Sequence, residues 1–130
     1  MTKPTVLFLC QHNAGRSQLG AALLEILADD KYTVTSAGLS PADAVNPSIA
    51  ATVAELGLDI SARIPRAVTV EELQTADIVI AMKPGLKLPV TPAGEFLEWA
   101  FPDPTDWSVE NVRPLRAAVE KQITELLLNR

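Results

Sequence analysis

Apolar and polar positions along this chain follow two alternating rhythms. Val6 to Leu9 is a continuous apolar run, the pattern of a strand buried on both faces. After Ser17 the spacing becomes helical, with Leu19, Ala22, Leu23, Ile26 and Leu27 on one predicted buried face. Tyr32 to Ala37 reads as a second strand ended by Gly38, and Asn46-Pro47 as an N-cap followed by proline at the first helical position. Ile49, Val53 and Leu56 give that helix its stripe, and Gly57 stops it. Thr69-Val70-Glu71-Glu72 has the form of a capping box, so a short helix leads into "ADIVIAM", Ala76 to Met82, the third and most apolar strand. After a proline-punctuated loop, Glu95 to Phe101 is predicted as a fourth strand. Val112, Leu115, Val119, Ile123 and Leu126 define a C-terminal helix with Pro114 in its first turn.

Strands alternating with helices predict an α/β fold of three layers: a four-stranded parallel sheet with helices on both faces. A chain of 130 residues suits one domain, residues 1–130, and no repeat or linker divides it. Apolar runs far shorter than a bilayer requires give no reason to expect a membrane partner. The five apolar residues after Thr5 are too short for the core of a signal peptide, so a cytoplasmic location is expected. A formal charge of -5, without any block of lysine and arginine, speaks against nucleic acid as a partner.

Cysteine usage sharpens the picture. The chain has one, Cys10, so no internal disulfide is available and the thiol is free for chemistry. It ends the first predicted strand, and in open parallel sheets ligands bind outside the carboxyl ends of the strands. Gln11, His12, Asn13, Ala14 and Gly15 then form a loop leading straight into a helix. Such a loop can wrap its backbone N–H groups around one small anion, with the positive end of the helix dipole beneath it. Asn13 and Gly15 are residue types that accept left-handed backbone conformations, and Arg16 offers a planar fork for two oxygens of a tetrahedral oxyanion. Helix terminus, arginine and the Ser17 hydroxyl all favour thiolate over thiol, which would make Cys10 a nucleophile.

A buried core residue is the plainer reading of a lone cysteine. The whole pattern of strand, C-x5-R-S and amphipathic helix favours catalysis. His12 either lines the mouth of the cradle or faces solvent. A departing oxygen needs a proton, and in "FPDPTDW" Asp103, held between Pro102 and Pro104, is preferred over Asp106 as the acid. No metal and no tightly bound cofactor is expected.

C-x5-R-S near the N-terminus with Asp103-Pro104 far downstream resembles the low-molecular-weight tyrosine phosphatase fold, which one class of arsenate reductases shares. "TSAG" at Thr35 to Gly38, "NP" at Asn46-Pro47, "ELGLDIS" at Glu55 to Ser61 and "ADIVIAM" are similar to arsenate reductase sequences in order and spacing. The resemblance implies a central four-stranded parallel sheet. It also implies that Cys10 attacks the oxyanion, that Arg16 and the amides from Gln11 to Ser17 hold it, and that Asp103 protonates the leaving oxygen. Asn13 would brace the loop, and Ser17 and Ser36 would tune the thiolate.

Departures from the family pattern select a branch. The phosphatases usually carry a second cysteine where Gly15 stands, and an aromatic where Thr105 stands, which leaves Trp107 as the ring available to a phosphotyrosine. Thioredoxin-coupled reductases carry two further cysteines after the third strand, where this chain has Lys83 and Leu88. Arsenate reduction takes two electrons, so a second thiol must come from outside. The resemblance is greatest to single-cysteine members that use mycothiol as co-substrate with a glutaredoxin-like partner; glutathione stays open as the donor. A tyrosine or aryl phosphatase is the first alternative, and a non-catalytic oxyanion binder or thiol sensor the second.

Overall fold

The first apolar run forms β1 (Thr5–Cys10), and every residue from Val6 to Cys10 is buried. In the computed structural model, which describes residues 3–101 and 104–129, β1 lies inside the sheet, with β2 (Thr33–Gly38) on one side and β3 (Ile78–Ala81) on the other. The short β4 (Glu95–Glu98) pairs with β3 at the edge. All pairings are parallel and the strand order is β2-β1-β3-β4. The order reverses direction between β1 and β3, and the carboxyl end of that junction is where a doubly wound sheet opens a crevice.

Alternation along β1 divides the core. Val6, Phe8 and Cys10 face α1 (Arg16–Ala28), α2 (Pro47–Ala54) and α4 (Val109–Ile123), whereas Leu7 and Leu9 face the opposite side. That second side is covered by α3 (Val70–Thr75), which buries Leu73, and by the loop residues Leu86, Leu88 and Val90. The three predicted layers are present, with a loop doing part of the covering that a second long helix would do. Phe8 is fully enclosed and meets the Trp99 ring edge-on at 6.3 Å, so truncating it to alanine would cost about 3–5 kcal/mol.

The local signals read from sequence act as drawn. Asn46 Oδ1 accepts from Ser48 N at 2.9 Å and Ile49 N at 3.3 Å, with Pro47 at the first helical position. Thr69 and Glu72 form the reciprocal capping box of α3. Gly57, at φ +95, ends the turn after α2 with its N–H on Ala54 O.

Several packing expectations are corrected. α1 is buried from Ser17 to Leu24, enclosed by the sheet, α2 and α4, and again at Ala28, whereas Ile26 and Leu27 between them are exposed. α2 ends at Ala54, which leaves Leu56 outside its stripe and exposed. β4 stops at Glu98; Trp99 continues only as far as one hydrogen bond to Ala81 O at 2.8 Å. α4 starts at Val109 because Ser108 caps it, accepting from Asn111 N, which puts Pro114 in the second turn rather than the first. There it removes one helical hydrogen bond. Beyond Ile123 the helix widens into a π turn over Thr124–Leu128, and the buried face advances from the predicted Leu126 to Leu127. Tyr32 Oη donates to Leu127 O at 2.8 Å and ties this end down.

Candidate active site

β1 ends at Cys10 and α1 begins at Arg16, so the Gln11 to Gly15 loop lies at the carboxyl end of β1 beside the strand-order reversal. Its carbonyls are all engaged on the outside. Cys10 O accepts from Leu39 N, Gln11 O from Ser40 N, His12 O from Ala42 N and Ala14 O from Asn46 N, at 3.3, 2.7, 3.0 and 2.8 Å. Asn13 O accepts from Gln18 Nε2 and Gly15 O from Leu19 N, both at 3.0 Å. In a trans peptide the N–H opposes the C=O of the same unit, so turning each carbonyl toward the rim turns the amides away from it. No protein acceptor among the described residues takes the N–H groups of Gln11 to Gly15. The loop is thereby a set of amide donors at a helix N-terminus, the arrangement that binds small oxyanions.

Asn13 holds the loop in shape. Its φ of +51 is the left-handed conformation expected for it, and among the described non-glycine residues it alone has positive φ. Gly15, by contrast, sits at φ -120, and a Cβ added there would meet the Trp107 ring at an ordinary contact distance of 3.7 Å. Asn13 Oδ1 accepts from Arg66 N at 3.0 Å, which fixes its amide so that Nδ2 donates to Ser17 Oγ at 2.9 Å. With its oxygen already accepting, the Ser17 hydroxyl has its proton available for Cys10 Sγ, 2.8 Å away. Ser17 is fully buried and Cys10 nearly so, so this chain of donors is shielded from water.

The cavity above the sulfur is about 280 Å³. The loop and Arg16 form its floor, and Asn46, Lys83 and Trp107 complete its wall. The Arg16 guanidinium stands 5.9 Å from the centre of the Trp107 ring, a cation over an aromatic face. A larger hollow of about 500 Å³ near Lys3, Tyr32 and Leu56 has neither a thiol nor an anion-directed loop, so chemistry and not size identifies the site.

The predicted residues divide as follows. Cys10, Gln11, His12, Ala14, Gly15 and Arg16 line the cavity, while Asn13 and Ser17 support it from beneath. His12 satisfies both of its alternatives, being exposed and at the mouth, with Nδ1 3.0 Å from Ser40 O. That carbonyl accepts, so Nδ1 carries the proton. Gln11 turns its side chain to the rim, where Nε2 donates to Ser40 Oγ at 3.1 Å, and only its backbone serves the cradle. Ser36 is not brought to the sulfur: Cys10 pairs with Gly38, and Ser36, two residues back on β2, lines a separate hollow with Gln18 and Arg66. The preferred acid, Asp103, lies outside the described residues. Its competitor Asp106 accepts from Ser108 N and Asn111 Nδ2, both at 2.9 Å, at the start of α4. Hydrogen bonds from the Ser108 side chain, the Asn111 amide and the Ser108 backbone hold its carboxyl below the usual range, which makes it a poor proton donor.

Three residues in the wall fall outside the sequence-predicted site. The sequence marks Asn46 only as a helix cap, yet its N–H also holds Ala14 O. The sequence offers Trp107 only as a stacking ring. Lys83 had a usable signal, since it directly follows the third strand, at the same carboxyl edge as Cys10.

Comparisons with known proteins bear on the family and the fold. Residues 5–130 match the model of the low molecular weight phosphotyrosine protein phosphatase family. Arsenate reductase 1 of Staphylococcus epidermidis is 34% identical over 127 residues, covering 92% of this chain and 96% of that protein. The glutaredoxin arsenate reductase of Synechocystis is 30% identical over 125 residues, covering 94% and 95% respectively. A solved structure of a thioredoxin-dependent arsenate reductase from Corynebacterium glutamicum superposes with a TM-score of 0.79 at 31% identity. It is matched over 98% of this chain, which spans only 64% of that protein's length.

Proposed function

The chain belongs to the low molecular weight phosphotyrosine protein phosphatase family, and from that premise we propose that it is a thiol-dependent arsenate reductase. The observation that carries the reading is that its only thiol lies beneath an oxyanion loop, with no second cysteine in the 130 residues to form a disulfide. Cys10 thiolate attacks arsenate, a sulfur–arsenic bond forms, and one oxygen leaves as water with a proton from Asp103. Arg16 and the loop amides hold the remaining oxygens. A low-molecular-weight thiol, mycothiol in preference to glutathione, then takes arsenic from Cys10. Arsenic is still pentavalent at that point. A glutaredoxin-like partner next attacks the small thiol's sulfur; the sulfur–arsenic electron pair stays on arsenic, and arsenite leaves as a mixed disulfide forms.

Aryl phosphate hydrolysis is the second reading, favoured by the Trp107 ring in the cavity wall. One experiment separates the two. Purified protein is given arsenate with mycothiol or glutathione and a matching redoxin, and the same sample is given an aryl phosphate. Arsenite formed only with an external thiol, and lost in Cys10→Ser, is the expected result; phosphate release without arsenite overturns the reductase reading. Asp103→Asn should lower turnover by roughly 10²–10⁴-fold while arsenate still protects Cys10 from alkylation. A non-catalytic sensor would show the protection and no turnover in either protein.

A further inference from the structure

The oxyanion cavity shares two of its wall residues, Arg16 and Lys83, with a second hollow of about 210 Å³. The other walls of that hollow are Met82, Pro84, Ala100 and Phe101, mostly apolar. The chain is pinned on both sides of Lys83: Met82 N donates to Leu9 O at 2.7 Å, and Gly85 N donates to Glu98 Oε2 at 3.0 Å. Lys83 therefore stands beside the end of β1, next to Cys10, while remaining exposed itself. Among the described residues no carboxylate forms an ion pair with its ammonium. A fixed backbone thus carries a cation at the junction of the two hollows, with no ion pair to a described carboxylate.

We propose that the second hollow admits the low-molecular-weight thiol, and that Lys83 positions the incoming thiolate for attack on the arsenic held by Cys10; this rests on the reductase reading above. Any such thiol reacts as its anion, and the site it approaches already carries the negative oxygens of the bound arsenic group. Like charges oppose that encounter, and a cation on the shared wall offsets the repulsion at the one point both anions adjoin. Lysine suits the task, being a compact charge on a flexible stem that can follow a moving sulfur, whereas the planar Arg16 fork holds oxygens. Pro84 and Phe101 offer apolar surface to the carbon atoms next to that sulfur. In the step itself a bond forms from the incoming sulfur to arsenic and the Cys10–arsenic bond breaks. Its electron pair returns to Cys10 as thiolate, so arsenic keeps its oxidation state and no oxidant or reductant is needed. Lys83 is a positioning residue here, touching the co-substrate and not the bond being made.

The test is steady-state kinetics of Lys83→Met and Lys83→Arg on the full chain, varying mycothiol or glutathione, whichever supports the wild type, at saturating redoxin. Lys83→Met should raise the KM for the thiol about fivefold, by a larger factor than it raises the KM for arsenate, and flatten the salt dependence of kcat/KM for the thiol. Lys83→Arg should recover most of the loss. An unchanged thiol KM in Lys83→Met, or an equal or larger rise in the arsenate KM, overturns the proposal. Failure of the wild type to form arsenite with either thiol overturns the reductase reading and this inference with it, and the wild-type control distinguishes that case from failure of the inference alone.

Discussion

Replacing Gly38 by alanine tests how the anion loop is seated. A Cβ at this position would lie 2.8 Å from Asn13 N, 3.0 Å from Asn13 Cβ and 3.0 Å from Gln11 O. Two of these are backbone atoms and cannot swing aside. To reach ordinary contact the loop must retreat by roughly 0.6–1 Å. Gly38 cannot yield in its place, because its N–H donates to Arg66 O and its carbonyl accepts from Val68 N, both at 2.9 Å. Overpacking of this kind costs about 1–3 kcal/mol, or about 3–15 °C in Tm for a domain of this size. The larger effect falls on chemistry. Asn13 is the residue that aims Ser17 at the sulfur, and a displacement approaching 1 Å at a reacting centre costs up to about 100-fold in rate. Gly38→Ala should therefore lose about 10- to 100-fold in kcat/KM for arsenate, and phosphate should protect Cys10 less well from iodoacetamide. Gly57→Ala is the control. Its φ of +95 strains any side chain, but nothing lies within 4 Å, so it should lose about 1–2 kcal/mol of stability and keep full activity. A Gly38→Ala protein with wild-type kinetics and normal phosphate protection would refute the argument that β2 sets the loop's position.

Two further outcomes follow from side-chain contacts. Ser17→Ala removes the hydroxyl 2.8 Å from Cys10 Sγ and strands the buried Asn13 Nδ2; melting should show a loss of about 1–3 kcal/mol, and alkylation of Cys10 at pH 6 should slow about tenfold, whereas alkylation at the wild-type rate would remove Ser17 from the thiolate's support. Glu55 binds Arg113 and Arg116 of α4, and hydrogen bonds from Arg113 and then Arg116 lower its pKa from 4.5 to about 2. A depressed carboxylate stabilises the fold above its unfolded pKa and loses that contribution as the pH falls from 4.5 toward 2. Tm measured against pH should therefore fall more steeply in that window for the wild type than for Glu55→Gln. The two curves should converge near pH 2, and added salt should narrow their separation; parallel curves would contradict the assignment.

The element order was legible because each signal is local. The all-apolar Val6–Leu9 run, the Asn46-Pro47 cap and the Thr69–Glu72 box each act within a turn or a strand of themselves, and each forms as read. The misreadings fall where burial depends on distant neighbours. Periodicity puts Ile26, Leu56 and Leu126 on apolar stripes, but only the surrounding elements decide how far along a helix the covered region extends. The usual helix-starting role of proline predicts Pro114 in the first turn, and the Ser108 cap one turn earlier overrides that position.

For the candidate site, the sequence alone placed the thiol, the arginine and the loop between them. C-x5-R-S between a strand and a helix constrains a contiguous backbone and requires nothing from elsewhere in the chain. Tertiary structure decided what makes that loop a cradle. The carbonyls of Cys10, Gln11, His12 and Ala14 find their donors on residues 39–46, and Asn13 finds Arg66, partners many residues away that only parallel pairing of β1 and β2 brings alongside. It likewise decided that Asn46, Lys83 and Trp107 wall the cavity and that Ser36 does not, since a strand's register and a loop's landing point follow from packing of the whole sheet and not from any local run of residues.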